Sequence, residues 1–324
     1  MKHATSARFL GLPFTRDVQE FEKRVLLYRL VLPLLWLLAC WVWCKRRIWH
    51  LLFQTEPSTN SFFVDGVSPA SRAVKDGAAT WKALDVVYNY RAGVRPGFSG
   101  VIDDFWVGGI RNAQAVRNRF IIVKQEVLAA VLEHAGPDGT RPVVIASLAS
   151  GSAQAVLEAV GVATKQGCTN ITVHLFDWDR GAFALARRIA AQYGVEGSLH
   201  CRPANLKRMM RLLPRVEELK PNIIEMCGFL DYLTDDEAES LLTQLRKKLQ
   251  RGGTFITCHI HPNAEQWFLR EVVNWGRSPW MHYRSRAQLL HLLVAAEFAA
   301  ESMEATRLFT EPHQIHTVAV CTRI

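Results

Sequence analysis

Beyond residue 140, five clusters of residues have types and spacings that could do chemistry, and each follows a short apolar run. The first is Ser147-Leu148-Ala149-Ser150-Gly151-Ser152-Ala153, where small residues let a ligand approach the backbone and the start of a following helix. A lone glycine there also serves plain turn geometry. The second, 26 residues beyond Gly151, is Phe176-Asp177-Trp178-Asp179. An acid at this place can accept both hydroxyls of a ribose, and the competing role is to cap the helix opening at Arg180. With Asp177 and Asp179 both present, one can cap while the other binds. Third comes Asn205, a short amide able to reach a base. The fourth cluster runs Glu225-Met226-Cys227-Gly228-Phe229-Leu230-Asp231-Tyr232, with acids on both sides of a glycine. The fifth is His259 with His261. If the reaction needs a base, the candidates are Asp231, Tyr232, His259 and His261. No third ligand accompanies the two histidines, so no metal is expected. No Ser/His/Asp or Cys/His constellation stands out.

The elements that must position these residues follow from the apolar pattern. Runs at 143–147, 171–177, 198–204, 222–227 and 252–260 are apolar almost throughout, with amphipathic stretches at 153–165, 181–193, 206–219 and 235–250 between them. Such alternation marks a parallel sheet covered on both faces. The last two extended stretches, 301–310 and 314–323, are separated by Glu311-Pro312-His313 and read as an antiparallel pair on the sheet edge. The fold class is therefore α/β, a doubly wound, seven-stranded, mostly parallel sheet. In such a sheet ligands lie beyond the carboxyl ends of the strands, where the five clusters would meet. Four segments are expected: an N-terminal hydrophobic helix region (1–53), a turn-rich linker (54–79), a helical cap (80–139) and the α/β domain (140–324). Arg111, Arg117 and Arg119 of the cap, with Tyr283 and Arg284, read either as a lid over an anionic acceptor or as a solvated face.

In order and spacing, IASLASGSAQ, VHLFDWD, CRPAN and IIEMCGFLDYLTDDEAESLLTQLRKKLQRGGTFI resemble the motif ladder of class I S-adenosylmethionine-dependent methyltransferases. More narrowly, GFLDYLTDDEA and the upstream LDVVYNYRAGVRPGFSGVIDDFWVGGIRNAQAVRNR are similar to segments of a bacterial methyltransferase-like family, and the resemblance covers about residues 80–324. It implies S-adenosyl-L-methionine as cofactor, bound by Ser147, Ala149, Gly151, Asp177, Trp178, Asp179, Asn205, Glu225 and Cys227. Three positions depart from the pattern. Ser147 replaces an acid, Gly151 alone remains of a glycine-rich turn, and Asn205 replaces an aspartate. A serine or an amide still hydrogen-bonds. Methyl transfer needs an in-line approach to an activated methyl, and positioning with desolvation can supply most of the catalysis. Two other functions are compatible with such a sheet. One is a non-catalytic binding protein of methyltransferase fold. The other is a nicotinamide-dependent oxidoreductase, but SLASGSAQ lacks the G-x-G-x-x-G that it would want.

The charge and the N-terminus point to a membrane. The net charge is +9 with a pI near 9.3, which suits an acidic neighbour. Residues 25–43 read VLLYRLVLPLLWLLACWVW, followed by Lys45-Arg46-Arg47. As a helix this rises about 28 Å, near a bilayer core, with tryptophans at the boundary. The expectation is membrane association through residues 25–49, as a span or an interfacial helix, with a buried helix on the main domain as the alternative. The denser basic cluster lies after the apolar run, which favours a cytoplasmic catalytic domain. Nucleic acid fits poorly. Arg202, Lys207, Arg208, Arg211 and Arg215 are basic but carry few aromatics between them, and neither a [DN]PPY nor a Pro-Cys run occurs. The acceptor is then a small molecule or a lipid. The seven cysteines are scattered, odd in number and without a CxxC pair, so no disulfide framework is expected.

Overall fold

The computed structural model describes residues 21–23, 28–205, 209–298 and 306–323, with the side chains of 209–212 excepted. Its centre is a seven-stranded sheet made of β1 (Val143–Leu148), β2 (Ile171–Asp177), β3 (Leu199–Pro203), β4 (Ile223–Cys227), β5 (Thr254–Ile260), β6 (Thr306–Thr310) and β7 (His316–Thr322). The order is β3-β2-β1-β4-β5-β7-β6. The first five strands are parallel, and β7 inserts antiparallel between β5 and β6. This is the sheet the alternation predicts. Of the expected strand at 301–310, residues 301–305 lie outside the described residues, as do Lys207 and Arg208 of the basic run and the start of the N-terminal apolar segment before Tyr28.

Strand residues alternate between two buried layers, as a period of two requires. Val143, Ile145, Val173, Leu175, Ile256 and Val318 meet one layer of helices. These are α5 (Arg111–Ala135), α6 (Gln154–Lys165) and α7 (Arg180–Tyr193). Leu148, Phe176, Ile224, Met226, Phe255 and Ala319 meet the other. That layer holds α8 (Met209–Glu217), α9 (Asp235–Lys248) and α11 (Arg286–Ala295). The start of α9 is written locally. Thr234 and Glu237 form a capping box, acids fill the first turn, and Arg246, Lys247 and Lys248 fill the last, matching the helix dipole at both ends.

The N-terminal helix α1 (Tyr28–Phe53) lies against the domain along one stripe. Leu35, Ala39, Val42 and Arg46 are buried, and the three apolar members share a cluster with Phe268, Leu269 and Val272 around α10 (Gln266–Glu271). The spacing of four, three and four residues keeps the stripe on one face. Trp36 Nε1 donates to Ala264 O at 2.8 Å. Arg46 donates to Asn60 Oδ1 and Asn274 Oδ1 and lies 3.4 Å from a Glu56 carboxylate oxygen. The remaining face exposes Leu30, Leu34, Leu37, Trp41, Ile48 and Leu51.

Residues 54–79 differ from the linker expected. They hold α2 (Pro69–Asp76), capped by Ser68, and a π-helical turn at Phe62–Gly66. Buried Asp65 accepts the backbone N–H groups of Asn60 and Ser61 at 2.8 and 2.7 Å and pairs with Lys75 at 2.5 Å. Order here comes from side-chain bonds to backbone, which leave no apolar period to read. The cap continues with α3 (Trp81–Tyr88) and α4 (Gly97–Asp103) before α5.

Candidate functional site

The β1–α6 turn carries three left-handed residues, Ala149 (φ +53°), Gly151 (φ +52°) and Ala153 (φ +50°). Such a backbone costs an alanine about 1–2 kcal/mol, so something must hold it. Asp177, the last residue of β2, supplies part of the hold. Its Oδ2 accepts the Gly151 N–H at 2.8 Å and its Oδ1 the Asp179 N–H at 3.0 Å. Trp81 of α3 supplies more. A Cβ on Gly151 would sit 3.1 Å from the Trp81 Cβ, and the indole Nε1 donates to Asp179 Oδ2 at 2.7 Å. Asp179 Oδ1 meanwhile caps α7 through the Gly181 N–H at 2.7 Å. Asp179 therefore does the capping, and Asp177 faces the turn. The opening of α6 has no side-chain cap, so its first N–H groups stay open to a ligand or solvent.

A cavity of about 1610 Å³ opens over this rim. Its lining includes Ala149, Gly151, Asp177, Trp178, Asp179 and Asn205, so the first three clusters converge as the strand order requires. Glu225, Cys227, Asp231 and Tyr232 line the same space, whereas Ser147 and His259 stand behind it. Ser147 Oγ donates to Glu225 Oε2 at 2.5 Å, and the Cys227 N–H donates to Glu225 Oε1 at 3.0 Å. Burial pushes the Glu225 carboxyl above its usual range against the pull of those bonds and of Arg119. The Cys227 thiol is held well above its usual range, first by a hydrogen bond with Cys258 and then by burial. It is a thiol at neutral pH and no nucleophile.

The far side of the cavity differs in character. Val64, Val74, Trp106, Phe268, Leu269 and Trp275 make an apolar chamber from the cluster that also seats α1. Asp231, Tyr232, Arg119 and His316 line the same cavity. His259 is fully buried with Nδ1 2.5 Å from Asp231 Oδ1, off the line of a good hydrogen bond, and Arg284 approaches its Nε2 at 3.4 Å. Burial raises the Asp231 carboxyl, but the opposing pull of His259, His316 and Arg119 leaves it below the ordinary aspartate range. Burial lifts the Tyr232 phenol, and the Asp231 charge lifts it further, so it stays protonated.

Of the five residues considered for a lid, Arg119 is the one that lines this cavity. Arg117 pairs with Glu22 at 2.5 Å and donates to the Val107 and Gly108 carbonyls. Arg111 donates to His313 O and covers the Tyr28 ring. Arg284 is spent on Asp235 and the Leu230 and Leu233 carbonyls. Tyr283 lines a separate, smaller pocket. Two residues of the site had no forecast from sequence, Trp81 and His316. Trp81 belongs to a short cap helix with no motif of its own. His316 is the first residue of an antiparallel strand, and its pairing with Ile260, the last residue of β5, sets it on the carboxyl rim.

Similarity to known proteins agrees with this layout at the level of fold. No family model and no curated protein matches the sequence. Among solved structures, a possible exported protein from Bordetella parapertussis superposes with a TM-score of 0.57 at 14% identity, over 76% of this chain and 80% of that one. Magnesium protoporphyrin IX methyltransferase from Synechocystis with bound SAH gives a TM-score of 0.49 at 13% identity, over 79% of this chain and 100% of that one. A geranyl diphosphate methyltransferase in complex with SAM gives 0.43 at 12%, over 72% and 94%. The strand order, with an antiparallel β7 between β5 and β6, decides the architecture. The fold is that of the class I methyltransferases. Ser147 pairs in register with Glu225 on β4, so a carboxylate still sits at this level of the sheet, one strand over.

Proposed function

We propose that this chain is an S-adenosylmethionine-dependent methyltransferase acting on a small-molecule or lipid acceptor at the cytoplasmic face of a membrane. One observation carries the reading: Gly151, Asp177 and Asn205 share a cavity that continues into an apolar chamber. The residues fit the cofactor. Asp177 stands on the cavity rim beside the Gly151 turn with acceptor oxygens for ribose hydroxyls, and Trp178, 73% exposed on the cavity wall, offers a flat ring for a base. Asn205 and the uncapped start of α6 are further candidates for polar contact. When bound, the cofactor supplies an already activated methyl group. The chain's own work is to orient the acceptor, exclude water and manage charge.

Titration calorimetry tests the cofactor. Binding of S-adenosylmethionine without binding of NAD is expected, and binding of neither ligand defeats the proposal.

Membrane association is supported by the outward face of α1. The helix is 26 residues long, about 39 Å, and exposes a row of leucines and tryptophans with Lys45 and Arg47 nearby. Its opposite face is occupied by the domain, so α1 reads as lying in the interface plane rather than crossing it. Flotation with anionic vesicles, and less with zwitterionic ones, is the expected result. Equal recovery with and without vesicles argues against it.

A further inference from the structure

Two buried polar side chains line the cavity close to Asp231, and one of them, His316, has no partner for its ring. Both ring nitrogens of His316 lack a hydrogen bond, although the residue is only 2% exposed and lines the cavity. Arg119 is 6% exposed, donates to Tyr88 Oη at 3.0 Å and is kept charged by its neighbours, Asp231 among them. A buried imidazole left in this state costs stability. We propose that Arg119 and His316 together receive the reacting oxygen of the acceptor, an apolar molecule bearing one acidic hydroxyl. The assignment rests on the methyl-transfer reading above.

The chemistry balances. The acceptor oxygen forms a bond to the methyl carbon while the carbon–sulfur bond breaks and its electron pair stays on sulfur. The hydroxyl proton passes to a ring nitrogen of His316. The Arg119 guanidinium holds the oxygen as negative charge builds on it. The groups facing His316 suit this role. Arg119 comes from α5, Asp231 from the loop after β4, and His259 and His261 from the end of β5, while Glu311 accepts the His316 backbone N–H. Burial drives the imidazole well below its ordinary range, with Arg119 adding to the effect and Asp231 opposing it, so the ring is neutral at pH 7, and negative charge building on the acceptor oxygen is what strengthens it as a base. The body of the acceptor would lie against Trp106, Phe268 and Trp275 in the chamber beneath α1.

The test uses the full chain, S-adenosylmethionine labelled on its methyl, and 4-nonylphenol as acceptor. Wild type is expected to label the phenol. His316→Gln should lower kcat about 100-fold or more near pH 7 while leaving S-adenosylhomocysteine affinity unchanged. That deficit should shrink as the pH approaches the ionisation of the phenol itself, where no base is needed. Arg119→Met should raise KM for the phenol. Independently of turnover, His316→Phe should keep or raise the Tm, because it removes an unsatisfied buried group. The assignment is overturned if wild type binds cofactor but never labels the phenol, if the His316→Gln deficit is the same at every pH, or if His316→Phe melts several degrees lower. Wild type that fails to bind S-adenosylhomocysteine defeats the methyltransferase reading first, and this one with it.

Discussion

The two ends of the one cavity treat their charged groups in opposite ways. At the rim Asp177, Asp179 and Glu225 are all engaged. Asp177 accepts two backbone N–H groups, Asp179 accepts from Trp81 and Gly181, and Glu225 accepts from Ser147 and Cys227. At the chamber end Arg119 is bonded to Tyr88 alone among the described side chains, and the His316 ring has no hydrogen-bond partner. The first end is held in shape before a ligand arrives, and the second stays incomplete without one. A satisfied network fixes geometry, whereas an unsatisfied buried group persists in a native protein only where something outside the fold gives it a use.

His174 sharpens the contrast, because it is also a buried histidine but one with a partner. Arg202 Nε donates to its Nδ1 at 3.0 Å, and burial, with the charge of Arg202 and the neighbouring His200, lowers its pKa to about 4. The unfolded chain takes up this proton near pH 6.5, and the folded one waits until about pH 4. Between those values the unfolded state binds more protons, so stability falls as pH falls, by about 1.4 kcal/mol per pH unit for one such group. This should be the largest effect. His174→Gln keeps an acceptor for Arg202 and should lose less stability than wild type over that window in denaturant titrations. A parallel decline in both proteins would mean that His174 is not held neutral.

At the cofactor end, Asp177→Ala removes both bonds at once. Cofactor affinity should drop by about 1–3 kcal/mol, read by calorimetry. An unchanged affinity would move the ribose contact elsewhere on the rim. Gly151→Ala comes next, with about 1–2 kcal/mol lost from a left-handed alanine and a new Cβ against Trp81, seen as a lower Tm. Trp81→Phe deletes only the bond to Asp179 and should cost about 0.5–1.5 kcal/mol of stability. The smallest change expected is Ala149→Gly. Relief of the φ +53° backbone is nearly cancelled by the extra freedom of glycine in the unfolded chain, so the Tm should stay level or rise slightly.

Much of the frame was legible in the residues. The apolar runs placed β1, β2, β4 and β5 to within two residues, because strands buried on both faces cannot hide their composition. The expected clustering of Gly151, Asp177 and Asn205 followed from the rule for open sheets, and the cavity unites them. Two features escaped for physical reasons. The rule looks just after each parallel strand, but an antiparallel strand meets the same rim with its first residue, which is how His316 arrives there. The fold of 54–79 depends on Asp65 binding nearby backbone, a local bond with no periodic trace in the sequence. The arginines show a third limit. Arg111, Arg117 and Arg119 look alike on one helix, and only their neighbours in space tell which one faces the cavity.

The position of Trp81 has a mechanical consequence. Trp81 of the cap fills the place that a Gly151 side chain would take, and its Nε1 donates to Asp179 at the start of α7. Cap and sheet are thereby riveted at the point where adenosine would enter. A chain trimmed back to residue 140 would lose the rivet as well as the roof, so the seven strands alone should make a poor nucleoside receptor.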